Sequence, residues 1–174
     1  MTADAALTVT EDGRLVFPGG SVRCALGPAG VSLSKREGDG ATPAGRFALR
    51  RALYRPDRGP APQTRLPVEP IAENDGWCDA PGDPAYNRPV TLPYPASAEH
   101  LWRADNVYDI IIVLGHNDDP PEPGCGSAIF FHLAHDDYRP TEGCVAVSRK
   151  DMEAILKACG PGSVMEIRKG DAAA

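Results

Sequence analysis

The apolar positions of this chain fall mostly into short runs broken by turn residues, and helical spacing is confined to one segment. Leu7-Thr8-Val9-Thr10 and Arg14-Leu15-Val16-Phe17 flank Glu11-Asp12-Gly13, which predicts a hairpin over 7–17 turning at Asp-Gly. Val22 to Leu26 reads as a short strand ended by Gly27-Pro28, and Arg46-Phe47-Ala48-Leu49 reads as another by alternation. Within Asn106 to Leu114, the run Ile110-Ile111-Ile112-Val113-Leu114 is β-branched and apolar throughout, the signature of a buried strand. Ser127 to Leu133 and Ser163 to Ile167 are predicted as further strands. The helix starts after Val147: Ser148 is its N-cap, Asp151 three residues on completes a capping-box pattern, and Met152, Ile155, Leu156 and Cys159 share one face. Gly160-Pro161 stops it.

Between these elements, Lys35 to Gly45 is a polar loop, and residues 55–100 are rich in Pro, Asp and Asn and read as a long loop. Trp77, Cys78, Tyr86 and Tyr94 inside it favour order, since disordered segments carry few aromatics. No internal repeat or linker divides the chain. The expected architecture is a single domain over residues 1–174, mostly β with one C-terminal helix.

Composition narrows the class. At 174 residues, roughly 70% of the unfolded surface is buried on folding, enough for a real core. The 18 Gly and 18 Pro punctuate apolar runs without forming a low-complexity tract, which suits a strand-rich domain with many turns. A net charge of −6 argues against nucleic acid or an anionic membrane as partner, while leaving room for a substrate that carries an amine. Met1 to Ala6 lacks a basic segment and an apolar segment, and no apolar run approaches the ~20 residues of a membrane span. The five cysteines are odd in number and irregularly spaced, as in a protein with reduced thiols. The expectation is a cytoplasmic protein, or a periplasmic one if a leader has been removed.

Two residues carry the chemistry. His132 closes the run Phe130-Phe131, and twelve residues later Cys144 follows Gly143 and opens Val145-Ala146-Val147. A thiol beside an imidazole is a common route to a cysteine nucleophile. Each residue alone has a blander reading, a buried apolar cysteine or a core histidine among aromatics. Two strands joined by a short loop would bring them together. Gly143 gives the backbone freedom to aim the N–H groups around Glu142, Gly143 and Cys144 at one point, as an oxyanion hole requires. No acid is placed to orient the imidazole, so a backbone carbonyl is the expected partner. His116 opens a polar loop after a buried strand and is a candidate to line the cleft, whereas His135, followed by Asp136 and Asp137, reads as loop surface. Metal is disfavoured: Cys125, His132, His135 and Cys144 lack the paired spacing of zinc sites. There is no phosphate-binding loop, dinucleotide glycine pattern or H-E-x-x-H.

Taken together, Gly126-Ser127-Ala128-Ile129-Phe130-Phe131-His132 and Pro140-Thr141-Glu142-Gly143-Cys144-Val145-Ala146-Val147-Ser148 resemble the L,D-transpeptidase catalytic domain, also called the YkuD domain. The likeness is greatest to a small subgroup with Thr-Glu-Gly-Cys at the nucleophile. It extends to Arg36-Glu37-Gly38-Asp39-Gly40-Ala41-Thr42-Pro43, to Trp77-Cys78-Asp79 with Tyr86-Asn87-Arg88, and to Leu114-Gly115-His116-Asn117-Asp118-Asp119-Pro120, covering about residues 30–168. The resemblance implies a mostly β fold with the cysteine motif at one edge of a sheet. It implies attack on the bond between the L-centre of diaminopimelate and D-alanine in a peptidoglycan stem peptide, through a thioester. An amine acceptor then gives a 3→3 cross-link, and water gives a shortened tripeptide. No cofactor is implied.

Carried over by position, Cys144 is the nucleophile, His132 the base, the backbone at Gly143 and Cys144 the oxyanion hole, and the Leu133 carbonyl the group that orients His132. Glu142, His116, Asn117, Trp77 and Ser127 are candidate substrate contacts. The chain departs from the commoner pattern at Glu142, where most members have His, and at Ala146, where most have Arg or Asn; within the subgroup an aromatic commonly precedes Asn117, where this chain has His116. With no export signal read at the N-terminus, the expected activity is that of a cytosolic L,D-carboxypeptidase on recycled, soluble muropeptides. The alternatives are a transpeptidase that cross-links the cell wall and a non-catalytic module that binds peptidoglycan fragments.

Overall fold

The computed structural model describes residues 3–171. In chain order it contains β1 (Ala6–Thr10), β2 (Arg14–Phe17), β3 (Gly20–Arg23), β4 (Val31–Ser32), β5 (Thr42–Pro43), β6 (Gly45–Tyr54), β7 (Val68–Pro70), β8 (Asp75–Cys78), β9 (Pro89–Thr91), β10 (Ala98–His100), β11 (Ile110–Leu114), β12 (Phe130–Leu133), β13 (Val145–Val147), helix α1 (Arg149–Leu156) and β14 (Val164–Arg168). The main sheet runs β13-β12-β11-β6-β14-β1-β2-β3, with β7 also beside β6. Just after β3, Ala25 exchanges two backbone hydrogen bonds with Ala146 of β13, at 2.8 and 3.0 Å, so the two ends of the sheet meet. The chain is mostly β, as its patterning predicts.

Side chains alternate across this sheet and create two apolar clusters. Ile110, Ile112 and Leu114 of β11, Phe131 and Leu133 of β12, and Val145 and Val147 of β13 enter the main core. Met152, Ile155 and Leu156 of α1 pack into the same core. Ile111, Val113 and Phe130 point to the opposite face and form the second cluster with Leu53. Ser148 caps the helix, its Oγ accepting from Asp151 N at 3.2 Å. The helix ends at Leu156 rather than at Cys159. The last turn tightens, with Cys159 N donating to Leu156 O at 3.0 Å, and Cys159 is still fully buried.

The segment read as a long loop holds β7 to β10, three of which form a small sheet in the order β10-β8-β9. Strands of three or four residues interrupted by Pro89, Pro93 and Pro95 show no alternation long enough to read. Ile71, Trp77 and Leu101 from this layer, with Val107 and Tyr108, cover the second cluster. The segment leading into β11 is pinned by Asp109, only 6% exposed, which accepts from Arg58 Nη1 at 2.8 Å and Arg149 Nη2 at 3.0 Å. Arg58 also donates to the carbonyls of Ala104 and Asp105.

Asp109→Ala leaves the two guanidinium groups facing an empty site. Both are part-exposed, so the loss is expected at about 2 kcal/mol, below the range for a fully buried pair. Chemical denaturation checks this through a lowered midpoint at unchanged slope, and Asp109→Asn should lose less.

Candidate active site

β12 and β13 pair in parallel, with Phe131 opposite Val145 and His132 opposite Ala146. One residue back from Val145, Cys144 lies beside Phe130 on the face away from the main core, the face that His132 also shares. Strand spacing and rise put the Cα atoms of Cys144 and His132 about 8 Å apart, within reach of side chains that lean toward each other. Both side chains line one cavity of about 590 Å³. Cys144 Sγ donates to Ala128 O at 3.2 Å and accepts from Phe130 N at 3.4 Å. His132 Nδ1 lies 2.9 Å from Leu133 O. A carbonyl only accepts, so Nδ1 carries the proton and Nε2 keeps its lone pair. The Tyr108 ring stands edge-on to the imidazole at 5.1 Å.

Burial sets the charge state. It pushes the Cys144 thiol up to about 12, with the carboxylate of Glu99 adding to the shift and the Phe130 N–H opposing it. It pushes His132 down to about 4 despite the Leu133 carbonyl. At neutral pH the site therefore holds a thiol and a neutral imidazole, not a preformed ion pair. Such a pair can act only if the proton moves while sulfur attacks, which is general-base catalysis. Gly143 has φ +130°, and a Cβ there would meet Ala41 O at 2.6 Å, so this position is closed to larger residues. Gly143 N donates to Thr141 Oγ1 at 3.1 Å, and Thr141 Oγ1 donates to Cys144 O at 2.7 Å, which fixes the turn into β13.

Residues 2–167 match the family of the L,D-transpeptidase catalytic domain, YkuD. The chain belongs to this family. Among solved structures it is similar to the helical cell shape determining protein Pgp2 from Campylobacter jejuni, at 12% identity and TM-score 0.49, covering 99% of this chain and 50% of that one. It is also similar to Mycobacterium tuberculosis L,D-transpeptidase 1, at 12% identity and TM-score 0.43, covering 94% and 58%. An L,D-transpeptidase from Mycobacterium smegmatis shows 13% identity and TM-score 0.45, covering 95% and 59%. The chain thus spans between half and three-fifths of the length of these structures. No curated protein matches it.

The remaining sequence candidates divide into two groups. Ser127 and Glu142 line the cavity of Cys144: Glu142 is exposed at the rim, and Ser127 Oγ is buried with no partner among the described residues. Trp77, His116 and Asn117 are not among the residues that line it. Trp77 Nε1 donates to Asn87 Oδ1 at 2.9 Å, and its ring meets Phe130 edge-on at 5.1 Å. His116 Nε2 lies 3.0 Å from Cys125 O, and Asn117 Nδ2 donates to the carbonyls of Glu122 and Gly126. Asn87 ties these loops to the site: its Nδ2 donates to the His116 and Asn117 carbonyls, and its Oδ1 accepts from Ala128 N at 3.0 Å. Ala128, whose carbonyl accepts the hydrogen bond from Cys144 Sγ, sits at φ +51°, a strained value for a residue with a Cβ.

Three cavity residues escape sequence reasoning altogether. Lys35 is 6% exposed, pairs with Asp39 at 2.5 Å, and fills the space left by Gly126 and Gly143. Glu99 and Tyr108 are joined by a hydrogen bond from the tyrosine hydroxyl to the carboxyl. None stands at a spacing that marks a site. Among the described residues, no three His, Cys, Asp or Glu side chains are disposed to hold a metal.

The charge state is testable by alkylation with iodoacetamide and peptide mapping. At pH 8 Cys144 should react on the order of a hundredfold or more slower than the part-exposed Cys125, because a raised thiol pKa leaves little thiolate. Its rate should climb about tenfold per pH unit up to pH 10 without levelling off near the ordinary thiol range. A plateau below pH 9 would show a thiolate already formed.

Proposed function

We propose that this chain cleaves the bond between the L-centre of diaminopimelate and a terminal D-alanine in peptidoglycan stem peptides, with water as the final acceptor. It would act as an L,D-carboxypeptidase on soluble muropeptides. The observation that carries this reading is the shared placement of Cys144 and His132 on one cavity wall in a chain of the L,D-transpeptidase family.

In the first half-reaction His132 Nε2 takes the Sγ proton as sulfur adds to the scissile carbonyl carbon. The carbonyl oxygen becomes an oxyanion held by backbone N–H groups at Cys144 and Gly143, the latter turning from Thr141 Oγ1. The tetrahedral centre collapses, the C–N bond breaks, and the imidazolium returns its proton to the departing amine of D-alanine. In the second, His132 takes a proton from water as its oxygen attacks the thioester, the C–S bond breaks, and sulfur regains the proton. The Leu133 carbonyl favours the imidazolium in both halves, because the hydrogen bond it accepts from Nδ1 strengthens when the ring is charged. Hydrolysis needs only water as the acceptor at the thioester. Transfer to an amine requires a second stem peptide at the same thioester.

Incubation with a disaccharide tetrapeptide, followed by mass spectrometry, tests the reading. The expected product has lost one alanine, Cys144→Ala abolishes its formation, and His132→Ala lowers kcat by about 10²- to 10⁴-fold. A product near the summed mass of two peptides would identify an amine acceptor and a transpeptidase. Unchanged substrate would point to a binding module, and full activity in Cys144→Ala would remove the mechanism.

A further inference from the structure

Glu99 lies in β10 opposite Trp77 and lines the cavity of Cys144 and His132. Its carboxyl accepts from Tyr108 Oη, and the ring of that tyrosine packs edge-on against His132. No ion pair to Glu99 is found among the described residues. Arg103 also lines the cavity, but its guanidinium is bound to Asp105 at 2.6 and 2.8 Å. Lys35 is bound to Asp39. Glu99 is therefore a half-buried carboxyl without a cation in hydrogen-bond contact, beside a nucleophile.

That placement is unfavourable in the free protein in two ways. Burial raises the Glu99 carboxyl to about 7, and its charge is the largest influence after burial that holds the Cys144 thiol un-ionised. A glutamine would accept from Tyr108 equally well, so holding the tyrosine does not account for the charge. Of the two other carboxylates on the wall, Glu142 is exposed at the rim, where water screens it, and Glu37 accepts from Tyr86 Oη and is not among the charges that act on Cys144.

We propose that Glu99 is the receptor for an ammonium group carried by the acyl donor, and that docking of this cation relieves the negative field on Cys144 and promotes attack. This rests on the reading of the reaction given above, and it names the feature of the donor that the site selects. The stem peptide supplies such a group: the far end of diaminopimelate bears a free ammonium, on the same residue whose carbonyl is attacked. Binding and activation are then linked, since the thiol is held back until the correct donor arrives. A donor whose amine is acylated leaves the half-buried carboxyl without a cation and gains no activation.

The test compares a disaccharide tetrapeptide with the same compound acetylated at the diaminopimelate amine, on the full chain. For the unmutated protein, acetylation should lower kcat/KM by about ten- to a hundredfold, the range for a hydrogen bond to a charged group. Glu99→Gln, which keeps the acceptor for Tyr108, should turn over the two donors equally, whereas Glu142→Gln should keep the discrimination. Glu99→Gln should also alkylate faster at Cys144 in the free protein, because the opposing charge is gone. A Glu99→Gln variant that still discriminates, or an unchanged alkylation rate, overturns the proposal. If the unmutated chain turns over neither donor, the proposed reaction fails and the ammonium site is judged by calorimetric titration with the two peptides. Weaker binding on acetylation that disappears in Glu99→Gln sustains it, and equal binding of both peptides sinks it.

Discussion

The parallel pairing of β12 with β13 is the constraint on which the site depends. With a side-chain period of two, a slip of one residue would bury His132 in the main core and turn Phe131 outward. The register is locked from the core side, where Phe131, Leu133, Val145 and Val147 are all almost fully buried. It is locked from the far edge by the two hydrogen bonds between Ala25 and Ala146. A parallel pair also needs a connection longer than a hairpin turn, and here residues 134–144 supply it. That connection brings Arg139, Thr141 and Glu142 to the cavity rim, so the same constraint that aligns the thiol and imidazole also builds part of the wall around them.

Placing both groups against the second apolar cluster has an electrostatic consequence. Desolvation disfavours the thiolate and the imidazolium separately, so neither forms alone. The polar contacts that remain act on position. Ala128 O and Phe130 N hold Sγ, Leu133 O holds the ring, and Asn87 holds Ala128. A neutral pair of this kind is protected from adventitious oxidation and alkylation, which require thiolate. In the proposed reaction it becomes reactive only when a carbonyl group is in place to receive electrons as the proton leaves.

What the sequence discloses follows the same physics. Alternation and helical spacing report which face of an element is buried, so β1, β2, β11, β12, β14 and α1 could be read wherever a run was long enough to repeat. Residues 55–100 could not, because their strands are too short and too rich in proline to establish a period. At the site, His132 and Cys144 announce themselves by chemistry and by the apolar runs around them. Trp77, His116 and Asn117 have equally suggestive chemistry, but hydrogen bonds to Asn87, Cys125, Glu122 and Gly126 turn them into supports for the loops behind the cavity. Glu99 reaches the cavity through the register of a three-residue strand, which no local pattern encodes.

The division between the two layers bears on how such a site can change its selectivity. Cys144 and His132 belong to the main sheet, where every neighbour is fixed by the core. Glu99 belongs to the small sheet laid over it, and Tyr108 to the segment pinned by Asp109. Tyr108 touches both layers, with its hydroxyl on Glu99 and its ring against His132 and Phe130. Substitution within β10 can therefore alter the charge that meets a donor while the register of β12 and β13 stays as it is. In the proposed reaction the thiol and imidazole are held by packing that tolerates little change, and recognition falls to Glu99 of the short strand β10. On the reading proposed above, chemistry and selectivity are mechanically separable, with Tyr108 as the contact through which a change at Glu99 is felt at the imidazole.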